Sequence, residues 1–477
     1  MYRIWSIFCI LFLCISCRTF GQGSSISIED QEYDYHLLRS ALEEAHPGLY
    51  RYTSRERMDS LFDAFEDGLV TPATRREFYK SLLPLVDNIQ CGHTKLMTPD
   101  RSGYPYYFNT ERLFPLKLFI DRDRAYVVDY FTSVPGIEKG AEIISIEGEA
   151  IPVIIKRLLE GIFSDGENRT FKYYELNRYF SAYYADIIQD EKASAGEGFS
   201  IGILKDGEPF EIKIGPATLE QVQAHESSAE GSGSFALSFL ENNIAVLTIP
   251  YFWNPEKGPG FKKFLKRSFR EINNRKTEHL IIDIRNNEGG KEVFGSLLLS
   301  YLKDQKFPYY DHLEITRKKR YSFSQYASVP FSFRFLKVVF SKSDSGMYVW
   351  RGHKNCGLQK FRKNNYKGKV YALINGGSFS VATEFASELH SLDRALFVGV
   401  ESGGGYYGNT SGFFAVVILP HSNLELGIPL MGFYSKAQPA MHSNRGVFPD
   451  LEISPTISGI LNNRDEVMDY TLSLINK

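Results

Sequence analysis

Two segments far apart in the chain limit its architecture more than anything else. One runs Leu280-Ile281-Ile282-Asp283-Ile284-Arg285-Asn286-Asn287-Glu288-Gly289-Gly290, the other Val370-Tyr371-Ala372-Leu373-Ile374-Asn375-Gly376-Gly377-Ser378-Phe379-Ser380. Each is an apolar, β-branched run that ends in glycines and passes into helical spacing: a buried strand, a tight turn and a helix N-terminus. Such turns present backbone N–H groups at the positive end of a helix dipole, where a developing negative charge is stabilised. A serine in the second turn makes acyl transfer at an oxyanion hole the leading chemistry.

Around these segments, Ile244 to Ile249, Phe261 to Ile272, Val293 to Leu302, Val381 to Leu389 and Leu396 to Gly399 alternate strand and helix. That order predicts α/β layering on a largely parallel sheet. Upstream, Ile28 to about Leu96 has helical spacing (Tyr35, Leu38, Leu42; Met58, Leu61, Phe62, Phe65), broken at His46-Pro47-Gly48-Leu49-Tyr50. A last helix, Phe78 to Ile89, ends at Gly92-His93-Thr94. From Phe114 to about Pro216 the period becomes that of strands, with a hairpin turning at Asp121-Arg122-Asp123-Arg124 and a helix near Ile154 to Leu159. This order suits either a peptide-binding β-domain that captures chains by strand addition or an ordinary β-domain without a ligand. The small polar stretch His225 to Ser234 reads as a linker or exposed loop.

With 477 residues, two or three domains are expected, and 43% hydrophobic residues supply their cores. A formal charge of −2 gives no whole-chain reason for a nucleic-acid or anionic-membrane partner. The excursion from Lys303 to Lys369 is locally basic and aromatic, which suits either single-stranded nucleic acid or an insertion packed on the core; the second is expected in an exported protein. Export is read from Arg3 and the apolar stretch Ile4 to Ile15, too short to span a bilayer but fitting a signal peptide cut after Gly21. Lipidation at Cys17 would instead tether the protein to a membrane, and an uncut anchor is the third reading. Three of five cysteines lie in this leader, so Cys91 and Cys356 remain, as two thiols or one bridge. No Cys/His spacing suggests zinc, and neither metal nor cofactor is expected.

Taken in order, His46 to Tyr50, Gly92-His93-Thr94, Glu142-Ile143-Ile144-Ser145-Ile146-Glu147-Gly148, Ile282 to Gly290, Ser378 to Ala382, Val398 to Gly404 and Gly446-Val447-Phe448-Pro449-Asp450 resemble the C-terminal processing peptidases, or tail-specific proteases, on their tricorn-like side. The resemblance implies an α/β + β multidomain fold. Residues 1–21 would be the signal peptide, 28–100 a helical region, 112–216 a PDZ-like domain, and 235–477 a crotonase- or ClpP-like protease core with an insertion at 303–369. It implies Ser380 as nucleophile, His93 as base, and backbone N–H groups at Gly289, Gly290 and Val381 as the oxyanion hole. Ser378 is the rival serine, and Ser380 has the alternative duty of capping the helix. The stretch Ser402-Gly403-Gly404-Gly405-Tyr406-Tyr407 holds no lysine, which excludes a serine–lysine dyad. Gly92 stands where tricorn-like members carry a serine, and His442-Ser443-Asn444-Arg445 offers no late glutamate, leaving Glu401 and Asp450 as orienting acids. Glu288 either faces the oxyanion or points outward. The expected function is an exported serine peptidase, periplasmic or extracellular, acting on extended or C-terminal segments of proteins. A non-catalytic binding protein on the same fold and a hydrolase of non-peptide esters are the alternatives.

Overall fold

The computed structural model describes residues 25–99, 105, 107–108, 111–189, 196–205, 207–229, 233–437 and 443–476. The expected leader with Cys17, and His442, lie outside the described residues. Among the described residues no helix is long and apolar enough to cross a membrane. The chain forms two compact units, one from the segments up to Pro99, His312–His353 and Asn409–Phe433, the other from Asp100–Asp311, Lys354–Gly408 and Tyr434–Lys477.

The first unit opens with helices Ile28–Ala45, Arg55–Asp67 and Arg75–Asp87. Each starts where a hydroxyl accepts an orphan N–H: Ser27 from Asp30, Ser54 from Arg57, and Thr74 from Glu77, whose carboxylate answers the Thr74 N–H in a capping box. Tyr35, Leu38, Leu42, Met58 and Phe62 are buried as their spacing predicts, while Leu61 and Phe65 are only half-buried. Leu96, expected to close the helical region, instead sits in strand Lys95–Met97, paired with Glu425–Ser435. That strand joins an antiparallel sheet ordered Ala327–Ser328, Thr410–Ile418, Glu425–Ser435, Tyr310–Ile315, Tyr348–Trp350, Ser341–Lys342. Much of the basic excursion is therefore part of this sheet, in keeping with an insertion that packs on the core. Asp34, fully buried, accepts the His421 and Ser422 N–H groups at 3.0 and 2.6 Å, fixing the first helix to the turn between the two long strands.

The two histidine motifs meet inside this unit. Gly48 N–H donates to His46 Nδ1 at 3.1 Å, so the ring proton resides on Nε2, which lies 2.9 Å from Thr94 Oγ1. A side chain at Gly48 would collide with Thr410 Oγ1 at 2.2 Å. Thr94 N–H closes a turn onto the Cys91 carbonyl at 3.1 Å, which carries His93 at its apex. Both remaining cysteines are free thiols, Cys91 buried and Cys356 half-exposed.

In the second unit, strands Leu116–Asp121, Arg124–Tyr130, Glu142–Ile146, Phe199–Lys205 and Glu208–Ile214 form an antiparallel sheet in that order. Helix Ile151–Leu159 buries Ile151, Ile154, Ile155 and Leu158. The strand pattern expected across this region is interrupted by helix Thr170–Tyr183 and the wider turn Tyr184–Ile188. The expected linker is also corrected: Leu219–Ala229 is helical, so its first half continues a helix. The α/β core follows the predicted alternation. Its sheet is ordered Ala236–Leu240, Ile244–Thr248, His279–Asp283, Lys369–Ile374, Leu396–Gly399, Leu451–Glu452, with every pair after the first parallel. Ile244, Ile281, Leu373 and Val398 pack with Val467 of the C-terminal helix Glu466–Ile475.

Burial holds His46 neutral, its pKa pushed down to about 3. The unfolded chain then binds more protons between about 3 and 6.5. Stability from this site is therefore complete above pH 6.5 and is lost as pH falls towards 3, by up to about 1.4 kcal/mol per pH unit. The His46→Asn variant, whose amide oxygen replaces Nδ1 as acceptor, should be less stable than the parent at pH 7, with the gap narrowing on acidification. Denaturant midpoints at pH 7 and pH 5 check this, and a gap independent of pH would refute it.

Candidate active site

Strands His279–Asp283 and Lys369–Ile374 are parallel neighbours in register, Ile282 beside Ala372, so their following turns emerge at the same sheet end. Ligands of open α/β sheets bind at this carboxyl end. The turns are locked by asparagine. Asn286 N–H donates to Asn375 Oδ1 at 2.9 Å, and Asn375 Nδ2 donates back to Asn286 Oδ1 at 2.8 Å. Phe379 N–H reaches the Asn287 carbonyl at 3.0 Å, and Asn287 Nδ2 holds the Ile249 carbonyl at 2.7 Å. Sequence reasoning missed these asparagines; the signal was an Asn within two residues of the end of each apolar run.

Ser378 is a turn builder. It is fully buried, its hydroxyl donates to the Ile284 carbonyl at 2.8 Å and accepts the Asn375 N–H at 3.1 Å. Ser380, also buried, differs in its backbone. Its backbone sits at φ 55°, ψ −124°, the left-handed side that a non-glycine residue adopts at a cost of roughly 1–3 kcal/mol. It begins helix Val381–Ser391 without capping it by a side-chain hydrogen bond. The capping duty weighed against a nucleophilic one is therefore absent.

Gly289 and Gly290 lie against this turn. A Cβ at Gly289, where φ is +95°, would stand 2.7 Å from Ser380 Cβ and 2.9 Å from Val381 N. Gly289 N–H is already engaged, donating to Asn287 Oδ1 at 2.9 Å. The Gly290 and Val381 N–H groups make no hydrogen bond among the described residues. The expected trio thus reduces to two available donors, with Gly289 serving as the spacer that permits their approach.

The glycine-rich stretch folds over the same turn. Gly403 N–H donates to the Ser378 carbonyl at 2.9 Å, and Gly404 N–H to Thr383 Oγ1 at 3.0 Å. A side chain at Gly403 would strike the Gly376 carbonyl at 2.0 Å. Glu401 is buried in structural work: it pairs with Arg445, accepts the Gly446 N–H at 2.8 Å and Asn168 Nδ2 at 3.2 Å. Asp450 accepts the Phe397 N–H at 2.7 Å, holding the edge strand. Both carboxylates expected as orienting acids are thus occupied in tying segments of the second unit together.

Helix Thr170–Tyr183 covers the turn from the other side. Phe171 stacks on Phe379 with centroids 4.3 Å apart, and Tyr174 lies against Gly377. Glu288 forms an ion pair with Arg178 and accepts the Tyr174 hydroxyl at 3.0 Å. Facing Tyr174 and Glu288, the guanidinium is held charged more firmly than usual despite its burial. The carboxylate beside the glycine pair is therefore neutralised by a cation that sequence spacing could not assign to it. His93 stands in the first unit, on its turn before Lys95–Met97. Desolvation, with Lys95 and His46 adding to it, lowers its pKa to about 3.

Peptidase family S41 matches residues 243–453 of the chain. Comparison with curated proteins gave no match. Among solved structures, mature CPAF complexed with lactacystin is similar at a TM-score of 0.67 and 15% identity, over 94% of this chain and 98% of that one. Mature CPAF is similar at 0.63 and 16%, with the same coverage. At such identities these structures bear on the fold alone. Residues 243–453 are therefore similar to Peptidase family S41, within a chain whose fold resembles that of mature CPAF.

Proposed function

We propose that the protein is an exported serine endopeptidase that hydrolyses peptide bonds in extended or C-terminal segments of proteins, with Ser380 as nucleophile and His93 as base. The observation that carries this reading is the strained, uncapped Ser380 beside the available Gly290 and Val381 N–H groups. Strain at one serine in a turn whose other serine is fully hydrogen-bonded is the signature of a nucleophile elbow. In the proposed reaction Ser380 Oγ attacks the scissile carbonyl while His93 takes its proton. The two N–H groups receive the oxyanion, and His93 returns the proton to the leaving amine. Water then hydrolyses the acyl-enzyme by the same route. The antiparallel domain at 112–216 would hold the substrate by strand addition, and the leader at 1–21 would direct export.

Three outcomes are expected. Ser380→Ala and His93→Ala should each lower kcat on an unstructured protein substrate by about ten-thousand-fold, and Ser380→Ala should abolish labelling by a fluorophosphonate. A parent that neither cleaves nor labels would instead identify a binding protein on this fold.

The base works only when neutral, so activity falls as pH drops through its pKa. With His93 lowered to about 3, the acid limb of kcat/KM should lie well below 6.5, and a limb at or above 6.5 would contradict the buried base.

Arg178→Met leaves Glu288 uncompensated near the proposed oxyanion site and should cut kcat by roughly ten- to a hundredfold. Adding Glu288→Gln should restore most of it. If the double variant is as slow as Arg178→Met, the arginine acts through packing of its helix and not through charge.

A further inference from the structure

From Arg317 to Lys342 the sequence carries seven Lys or Arg and no Asp or Glu, in a chain whose overall charge is −2. The structure pairs this charge with an apolar surface. Within helix Phe331–Leu336 and the turn Lys337–Val339, Phe333 is buried against Phe413 and anchors the segment, as Phe340 does against Trp350. The opposite side is open: Phe331 is 68% exposed, Phe335 66%, Val338 73% and Val339 46%. The Phe331 and Phe335 rings meet edge to face at 5.1 Å, so the two side chains form one protrusion. Lys318 Nζ donates to the Val338 carbonyl at 3.2 Å, and Lys337 Nζ to the Lys319 carbonyl at 3.3 Å. These bonds bring the basic run 317–320, of which Lys318, Lys319 and Arg320 are exposed, alongside the apolar protrusion.

We propose that this surface docks the protein onto an anionic lipid bilayer, with Phe331, Phe335, Val338 and Val339 entering the interface and the basic run meeting the headgroups. Exposed large apolar side chains gathered in one place mark interaction surfaces. Apolar wedges ringed by Lys and Arg are the composition of interfacial membrane segments. Charge complementarity selects the partner: Arg317 is paired with Glu44, but Lys318, Lys319, Arg320 and Arg334 face solvent, so the surface is cationic, repels a second copy of itself and favours an anionic one. Phenylalanine and valine favour hydrocarbon over a polar partner. Single-stranded nucleic acid would use the aromatic rings, but it has no use for the exposed valines. The proposal is independent of the peptidase chemistry.

Vesicle co-sedimentation of the purified chain tests it. Vesicles of equal parts phosphatidylglycerol and phosphatidylcholine should bind the protein, phosphatidylcholine alone should not, and binding should weaken as salt rises. Phe331→Ser with Phe335→Ser, and separately Lys318→Glu with Lys319→Glu, should each lower partition by roughly tenfold or more. Each variant carries the parent's N-terminus, so an apolar leader contributes equally to all. All four side chains changed are exposed, and hydrolysis of a short soluble peptide should be unchanged. No binding to anionic vesicles, binding untouched by the phenylalanine changes, or preferential binding of a single-stranded oligonucleotide would each overturn the proposal.

Discussion

The candidate active site depends on how closely two backbone turns approach. Gly289 lies so near Ser380 that a single added carbon would intrude at 2.7 Å, and this contact is only reachable because the preceding strands are hydrogen-bonded in parallel register. The Asn286–Asn375 amide pair then removes the freedom that two glycine-rich turns would otherwise have. Glycine is needed at one point for clearance and asparagine at another for rigidity, and neither alone would give a fixed pair of N–H donors. Strain at Ser380 persists because everything around it is over-determined: Ser378 below, Phe171 stacked on Phe379, and Gly403 folded over the top. Such surroundings are what allow a non-glycine residue to hold a left-handed conformation.

Much of the α/β core was legible from residues alone, because strand, turn and helix leave different periodicities and the two turn segments end in glycine. The helices near the N-terminus were legible for the same reason, down to the break at His46. What could not be read were relations that depend on distant chain segments. Leu96 has helical neighbours but finds a strand partner in Leu426, more than three hundred residues away. Helix Thr170–Tyr183 carries tyrosines and a lysine in no clear apolar stripe, so nothing in its spacing announced that Phe171, Tyr174 and Arg178 cover the serine turn. That the basic excursion packs on the core was expected, but not that its strands complete a sheet with residues 410–435.

The candidate site was legible in part for a physical reason. Chain geometry alone places two glycine-ended turns and a serine at strand ends, and the resemblance to the C-terminal processing peptidases is what singled out Ser380, Gly289, Gly290 and Val381. Choosing between Ser378 and Ser380 needed hydrogen-bond partners, which the chain order does not reveal. The acids were harder still. A carboxylate's duty is set by whichever cation or N–H it meets, and Glu401 meets Arg445 and Gly446 while Asp450 meets the Phe397 N–H.

The proposed chemistry asks two things of its surroundings: a histidine able to take a proton and a field that does not oppose an oxyanion. A histidine kept neutral by burial is always ready to accept a proton, but its low pKa makes the transfer uphill. In the proposed acyl transfer the imidazolium and the oxyanion would appear together. Anything that disturbs the oxyanion's surroundings therefore weighs on the proposed step. Glu288 is the nearest such disturbance along the chain, one residue from Gly289. Its ion pair with Arg178 and its hydrogen bond from Tyr174 remove that field at its source. The helix covering the serine turn thus has two duties that cannot be separated by inspection of its sequence: it packs Phe171 against Phe379, and it neutralises the one acid placed beside the glycine pair.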